Sequence, residues 1–292
     1  MYAITGITGN IGSEVARNLL AANLPLRAIV RDPARAKPWA EKGCEVAQAD
    51  ILAADAAATF TAAFQGAEAV FILIPPLFDP APGFPEAHAM ADALYSALDA
   101  TRPARTVYLS TIGAQATQTN LLSQHTIIET RLRALQSPIT FLRPAWFMEN
   151  TSWDIAPARE TGIIPSFLQP LDRPISMVAT VDIGRLATEL LQENHPGHRI
   201  VELEGPTRIS PNQISATFAE LLHKPITVQP VPREDWKQIF NTQGMKNPDP
   251  RIAMLDGFNQ GWIDFEGNPE TIRKGTTTLK TVIKILLDRT PA

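Results

Sequence analysis

One seven-residue stretch, Gly6-Ile7-Thr8-Gly9-Asn10-Ile11-Gly12, restricts the fold of this 292-residue chain more than any other. It follows a short β-prone run, Tyr2 to Thr5. From Ile11 onward, Ile11, Val15, Ala16, Leu19 and Leu20 recur at helical spacing, with Ser13, Glu14, Arg17 and Asn18 on the opposite face. Asn23 suits the left-handed residue that closes such a helix. Strand, glycine loop and helix in this order begin a βαβ unit. In it Gly6 permits the tight turn, Gly9 lets the backbone approach a ligand, and Gly12 lets the helix pack on the strand. A helix N-terminus presents unpaired N–H groups and the positive end of its dipole, so the loop predicts a site for the pyrophosphate of a dinucleotide.

The alternation continues. Strands are expected over residues 26–31, 45–49, 68–74, 105–110 and 139–142, with helices from Pro33 and over 55–65, 84–100 and 121–136. Apolar runs such as Ala69-Val70-Phe71-Ile72-Leu73-Ile74 suit a parallel sheet covered on both faces. The expected architecture is a doubly wound α/β domain with a parallel sheet, strand order 3-2-1-4-5-6, over residues 1–150. Beyond Pro144 proline and glycine become dense. Helices at 182–191, 214–222 and 278–287 and a strand at 199–203 are expected to form a smaller C-terminal α+β lobe, residues 151–292, on the substrate side. Ser210, Pro211 and Gln213 announce the 214–222 helix with a capping hydroxyl, a first-turn proline and a capping-box partner.

Composition narrows the partners. Lys and Arg total 26 against 30 Asp and Glu, and each half of the chain, divided at Asn150, carries a formal charge of −2. No basic arm or stripe is available for a phosphate backbone or an anionic membrane, so nucleic acid and membrane are excluded as expected partners and a small ligand is expected. A single cysteine, Cys44, excludes an internal disulfide, and the five histidines show no helical i,i+4 pair, so no metal site is expected. The longest apolar run, Ala69 to Phe78, is broken by Pro75 and Pro76 and falls short of the roughly 20 residues of a membrane span. No charged leader precedes the first strand, and a cytoplasmic location is expected.

The end of the second strand bears on which dinucleotide is bound. An acid there pairs with the ribose hydroxyls of NAD, whereas an arginine accommodates the additional phosphate of NADP. The chain reads Val30-Arg31-Asp32, with Arg35 and Lys37 close behind, which favours NADP(H) over NAD(H). Asp32 keeps NAD open and equally suits a cap for the helix after Pro33. Asp50, with Ile51, closes the third strand and is expected near the adenine, or as a turn cap.

The usual acid–base pair of short-chain dehydrogenases, a tyrosine with a lysine four residues on, has no counterpart here. The tyrosines are Tyr2, Tyr95 and Tyr108, and none is followed by lysine at that spacing. Where the pair would sit the chain reads His125-Thr126-Ile127-Ile128-Glu129, which disfavours an alcohol dehydrogenase or sugar epimerase mechanism. The Thr5 to Gly12 loop, Val30-Arg31-Asp32-Pro33, the His125 to Glu129 helix start, and above all Leu142-Arg143-Pro144-Ala145-Trp146-Phe147-Met148-Glu149-Asn150 resemble the NmrA-like branch of atypical short-chain dehydrogenases. Val181-Asp182-Ile183-Gly184 is similar to that family's segment before a C-terminal-lobe helix.

The resemblance implies an NADPH-dependent reductase of quinones, dyes or other conjugated acceptors, or a redox sensor that binds the dinucleotide without turnover and docks a protein. It implies cofactor contacts at Gly6, Thr8, Gly9, Asn10, Ile11, Gly12, Arg31, Leu73, Ile74, Pro75, Ser110, Thr111 and Pro144, to which the strand ends themselves add Lys37, Asp50 and Ile51 at the adenosine end. Members of the branch carry lysine or histidine at the place of His125, the candidate proton donor or ligand contact, with a satisfied helix-start histidine as the other reading. Reduction of a quinone asks for a hydride and a proton that water or a weak acid can supply, so the protein mainly positions ring against ring. Trp146, Phe147 and Trp153 are candidates for an aromatic wall against a planar acceptor, with core packing between the lobes as the other reading. Glu129 is expected to be structural, paired with Arg133 at i,i+4.

Overall fold

The computed structural model describes residues 1–290. β1 (Tyr2–Thr5) leads through the glycine loop into α1 (Asn10–Ala21). That helix ends as expected: Asn23 adopts φ 56°, and the Leu24 N–H turns back to the Leu19 carbonyl at 3.0 Å. β2 (Leu26–Val30) is followed by a 3-10 turn at Pro33–Ala36 and one turn of α-helix, α2 (Lys37–Ala40), in place of a continuous helix. Pro38 lacks the N–H needed to carry the ladder onward from Pro33. β3 (Glu45–Gln48), α3 (Ala56–Phe64), β4 (Ala69–Ile72), α4 (Pro85–Thr101), β5 (Arg105–Leu109), α5 (Ser123–Leu132) and β6 (Ile139–Pro144) complete the expected alternation.

The remaining chain forms β7 (Trp146–Phe147), α6 (Ile155–Glu160), β8 (Ile163–Ser166), β9 (Met177–Val178), α7 (Thr180–Gln192) and β10 (His198–Glu204). It ends with α8 (Pro211–Leu222), β11 (Thr227–Pro230), α9 (Trp236–Thr242), α10 (Asp249–Gln260), β12 (Arg273–Lys274) and α11 (Leu279–Arg289). The main sheet is parallel throughout and runs β12-β10-β6-β5-β4-β1-β2-β3. The order 3-2-1-4-5-6 is present, with two further strands beyond β6.

Those two strands and α7 come from residues expected in the lobe. β10 pairs with β6 along its length, from His198 beside Ile139 to Leu203 beside Pro144. α7 lies against α1, where a Cβ on Gly184 would meet Glu14 Cβ at 2.5 Å, so glycine permits the close approach. The Val181-Asp182-Ile183-Gly184 segment therefore opens a helix of the sheet layer, not of the lobe. The βαβ rhythm passes through β6, α7 and β10, and residues 145–179 are inserted within it.

The sheet has a core on each face. One joins Ile4, Val15, Leu19, Phe71, Ile183 and Leu190 beneath α1 and α7, and the other joins Phe60, Phe64, Leu94, Tyr108, Ile128 and Phe141 beneath α3, α4 and α5. The third core fills the lobe around Phe218, Trp236 and Phe240. α8 begins with the expected capping box, Ser210 and Gln213 each bonding the other's backbone. Among the described residues no helix is long and apolar enough to cross a membrane, and no cluster of His, Cys, Asp or Glu is placed to hold a metal.

Candidate dinucleotide and acceptor site

The site lies at the C-terminal edge of the sheet, where β1 and β4 separate the helices of one face from those of the other. Thr5 shapes it first. Its hydroxyl accepts the Leu73 N–H at 2.6 Å and donates to the Leu73 carbonyl at 3.1 Å, which takes Leu73 out of the β-ladder and sets it behind the glycine loop. Gly6 has φ +64°, and a Cβ there would meet Leu73 Cδ2 at 2.9 Å. A Cβ on Gly12 would meet the Gly6 carbonyl oxygen at 2.3 Å, so no side chain fits. Gly9 is the N-cap of α1, with no side chain to cap it and no acid in the first turn. The first-turn N–H groups are left to an anion, and Thr8, Gly9 and Asn10 are exposed around them while Ile11 is buried in the core.

At the end of β2, Arg31, Arg35 and Lys37 are exposed, and among the described residues none enters a salt bridge. Asp32 is turned inward to its own chain, its Oδ1 accepting the Ala34 N–H at 3.0 Å as the cap of the 3-10 turn. Asp50 likewise accepts the Leu52 N–H at 3.1 Å in the turn after β3, and Ile51 is buried beside it. Three cations and a committed aspartate suit an additional phosphate better than ribose hydroxyls. The donor set and the glycine cradle fit a phosphorylated dinucleotide.

At β5 a strand and a helix meet in step. Tyr108 and Ser110, two residues apart on one face of the strand, are about 6.6 Å apart along it; His125 and Glu129, four apart on α5, are separated by about 6 Å. The Tyr108 hydroxyl lies 2.9 Å from His125 Nδ1, and the Ser110 hydroxyl donates to Glu129 Oε1 at 2.5 Å. Glu129 also accepts from Arg143 Nε at 2.9 Å and Nη2 at 2.7 Å, while Arg133, its expected partner, reaches it only at 3.4 Å. Arg143 Nη1 goes on to Glu266 at 2.6 Å and Gln115 Oε1 at 3.2 Å.

Burial pushes the Glu129 carboxyl up, but the hydrogen bonds and charge of Arg143, with Ser110 and Arg133, bring it net below the usual range. Burial drives His125 down to about 4 against the opposing charge of Glu129, and raises Tyr108 well above its ordinary value with help from the same charge. His125 is therefore a neutral imidazole at physiological pH, not an imidazolium donor.

Among the other candidate positions, Ile74 and Pro144 are buried, and Pro75 and Thr111 are half-buried at the strand ends. The aromatic residues do not form one wall. Trp146 packs edge-on against Phe258 in the lobe at 5.0 Å between ring centres, Phe147 packs on the sheet core, and Trp153 is 60% exposed. The short β7 pairing with β9 turns Trp146 and Phe147 to opposite sides, as strand geometry requires. Further hydrogen bonds join the sheet domain to the lobe: Asp79, in the loop after β4, accepts the N–H groups of Lys246 and Asn247 at 2.8 and 2.7 Å, and the Leu121 N–H donates to the Pro250 carbonyl at 2.8 Å.

Tyr108, Arg143, Glu266 and Gln115 escape sequence reasoning. The only signal was the arginine of the Leu-Arg-Pro stretch. Glu149 of that stretch receives the Thr180 N–H and hydroxyl at 2.9 and 2.5 Å, capping α7 from 31 residues away.

Fold and site together define a doubly wound, Rossmann-like α/β protein built around a glycine loop. The NmrA-like family model matches residues 2–255, and the chain belongs to that family. It is 29% identical to the NAD(P)H azoreductase of Xenophilus azovorans, across 89% of this chain and 85% of the relative. It is 28% identical to quinone oxidoreductase 2 of Escherichia coli strain K12, across 99% of both. A solved structure of an NADPH-dependent quinone oxidoreductase from Escherichia coli superposes with a TM-score of 0.77 at 25% identity, covering 98% of this chain and 99% of that one.

Proposed function

We propose that the chain is an NADPH-dependent oxidoreductase that reduces a quinone or a similar conjugated small molecule. The observation that carries the reading is the open amide cradle of Gly6, Gly9 and Gly12 beside the exposed cations Arg31, Arg35 and Lys37. Relatives named as a quinone oxidoreductase and an azoreductase support turnover over sensing. In this reading the cradle amides of residues 8–12 hold the pyrophosphate, Arg31 with Lys37 holds the ribose phosphate, and Asp50 with Ile51 borders the adenine. Leu73, Ile74, Pro75, Ser110, Thr111 and Pro144 border the nicotinamide end.

The bound dinucleotide supplies a hydride. The chain's own residues hold the two rings in line, exclude bulk water and place a hydrogen-bond donor, His125, at the oxygen or nitrogen of the acceptor. Trp146 and the lobe around it would line the acceptor side, and the proton that completes the reduction comes from solvent. The test is consumption of NADPH and NADH by the purified protein across a panel of quinones and azo dyes. NADPH oxidation faster than NADH oxidation with at least one acceptor is expected. Tight dinucleotide binding with no turnover on any of them overturns the reading.

A further inference from the structure

We propose that Tyr108 is a positioning residue that holds His125 in the tautomer with its proton on Nε2, so that a neutral imidazole offers an N–H to the acceptor. The inference rests on the reading of His125 as the donor at the acceptor site. It starts from a hydroxyl with one place to put its proton. The Tyr108 side chain is fully buried in the core beneath α4 and α5, with its ring edge-on to Phe141 at 6.3 Å between centres. Among the described residues the hydroxyl has one hydrogen-bond partner, His125 Nδ1 at 2.9 Å.

A neutral imidazole has one donor and one acceptor nitrogen. If the phenol donates, Nδ1 is the acceptor, and the ring proton must sit on Nε2. In the opposite arrangement Nδ1–H donates to the phenol oxygen, and the phenol proton is left unpaired among apolar side chains. That arrangement is disfavoured by roughly ten- to a hundredfold, the scale of an unsatisfied buried donor.

The charged alternative is removed by the surroundings. Tyr108 from β5 and Glu129 from α5 are the titratable groups that face the ring, and burial outweighs the attraction of the Glu129 carboxylate. That carboxylate is itself occupied by Arg143 and Ser110. A second nitrogen fixed by a buried partner is how proteins set the tautomer of a functional histidine. A neutral histidine used in this way polarises an acceptor oxygen without surrendering a proton of its own.

The test is nitrogen-15 NMR of the histidine side chains in the full-length protein, with the His125 signal assigned by its loss in His125→Asn. The wild type is expected to show Nε2–H at neutral pH. Tyr108→Phe, which keeps the ring and the burial that lowers the His125 pKa, should give a mixture of tautomers. It should also lower kcat about tenfold with KM for NADPH unchanged. Nδ1–H in the wild type, or a tautomer unmoved by Tyr108→Phe, overturns the proposal. The wild-type spectrum decides even if Tyr108→Phe fails to fold, and both spectra decide even if no acceptor is ever turned over.

Discussion

Arg143 grips Glu129 with two nitrogens, Nε to Oε1 at 2.9 Å and Nη2 to Oε2 at 2.7 Å, and both side chains are almost wholly buried. The pair joins the end of β6 to the middle of α5. A buried bidentate pair stabilises little against an apolar replacement of both partners, yet removal of one partner strands the other. Glu129→Met or Arg143→Met is expected to cost about 3–5 kcal/mol in chemical unfolding, and the double variant Glu129→Met with Arg143→Met less than either single change. Equal, additive losses in the cycle would show that the two side chains are not coupled.

Gly12→Ala places a methyl group where the Gly6 carbonyl stands, at 2.3 Å. The loop must open to admit it, and the amides then no longer converge. Dinucleotide affinity should fall at least tenfold, about 1.4 kcal/mol, in a fluorescence titration with NADPH. Retained affinity would mean that the phosphates bind elsewhere.

Arg31→Ala tests the cofactor preference. A charge-assisted hydrogen bond to phosphate contributes roughly 1.5–3 kcal/mol, so NADPH should bind about ten- to a hundredfold more weakly while NADH changes little. The same loss for both would assign Arg31 to the pyrophosphate or the adenine instead.

Two buried groups pull stability in opposite directions with pH. His125 titrates at about 4 when folded against 6.5 ordinarily, so the unfolded chain binds more protons between those values and stability rises with pH across them. Asp154 is raised by burial to about 7 from 3.8, so the folded chain binds more protons and stability falls as pH rises from about 4 to 7. Each effect amounts to roughly 3–4 kcal/mol at full extent. The two nearly cancel from pH 4 to 6.5. Asp154→Asn should expose the histidine limb: its unfolding free energy should climb from pH 4 to 6.5 and exceed that of the wild type above pH 7. Parallel profiles for the two proteins would refute the assignment to Asp154.

Glu149→Ala removes the carboxylate that receives the Thr180 N–H and hydroxyl. The loss of a helix cap costs about 1–2 kcal/mol, and Glu149→Gln, which keeps an acceptor, should recover part of it in thermal unfolding.

The doubly wound sheet was legible because local pattern and tertiary role coincide there. Ala69 to Ile72 is apolar on both sides because both faces of the sheet are covered, and Gly12 is glycine because the Gly6 carbonyl fills the space beside it. The tight packing of the glycine loop was legible for the same reason. The ownership of α7 and β10 was not, since the inserted residues 145–179 interrupt the alternation and the signal that α7 returns to α1 is a single glycine, Gly184. The network around Glu129 was hidden as well. Its expected partner, Arg133, is one helical turn away, while Arg143, the partner that holds it, comes from a different element. Trp146, Phe147 and Trp153 look like a cluster in sequence, but two-residue β7 sends the first two to different cores.

The in-step meeting of β5 and α5 makes a ladder of two rungs, phenol to imidazole and hydroxyl to carboxylate. The lower rung, anchored through Arg143, fixes how helix and strand lie, and so leaves the upper one free to vary. A substitution at residue 125 breaks the upper rung alone and leaves the Ser110–Glu129–Arg143 anchor of α5 on β5 in place. The chemistry of one side chain and the docking of the helix that carries it are thus held by separate contacts.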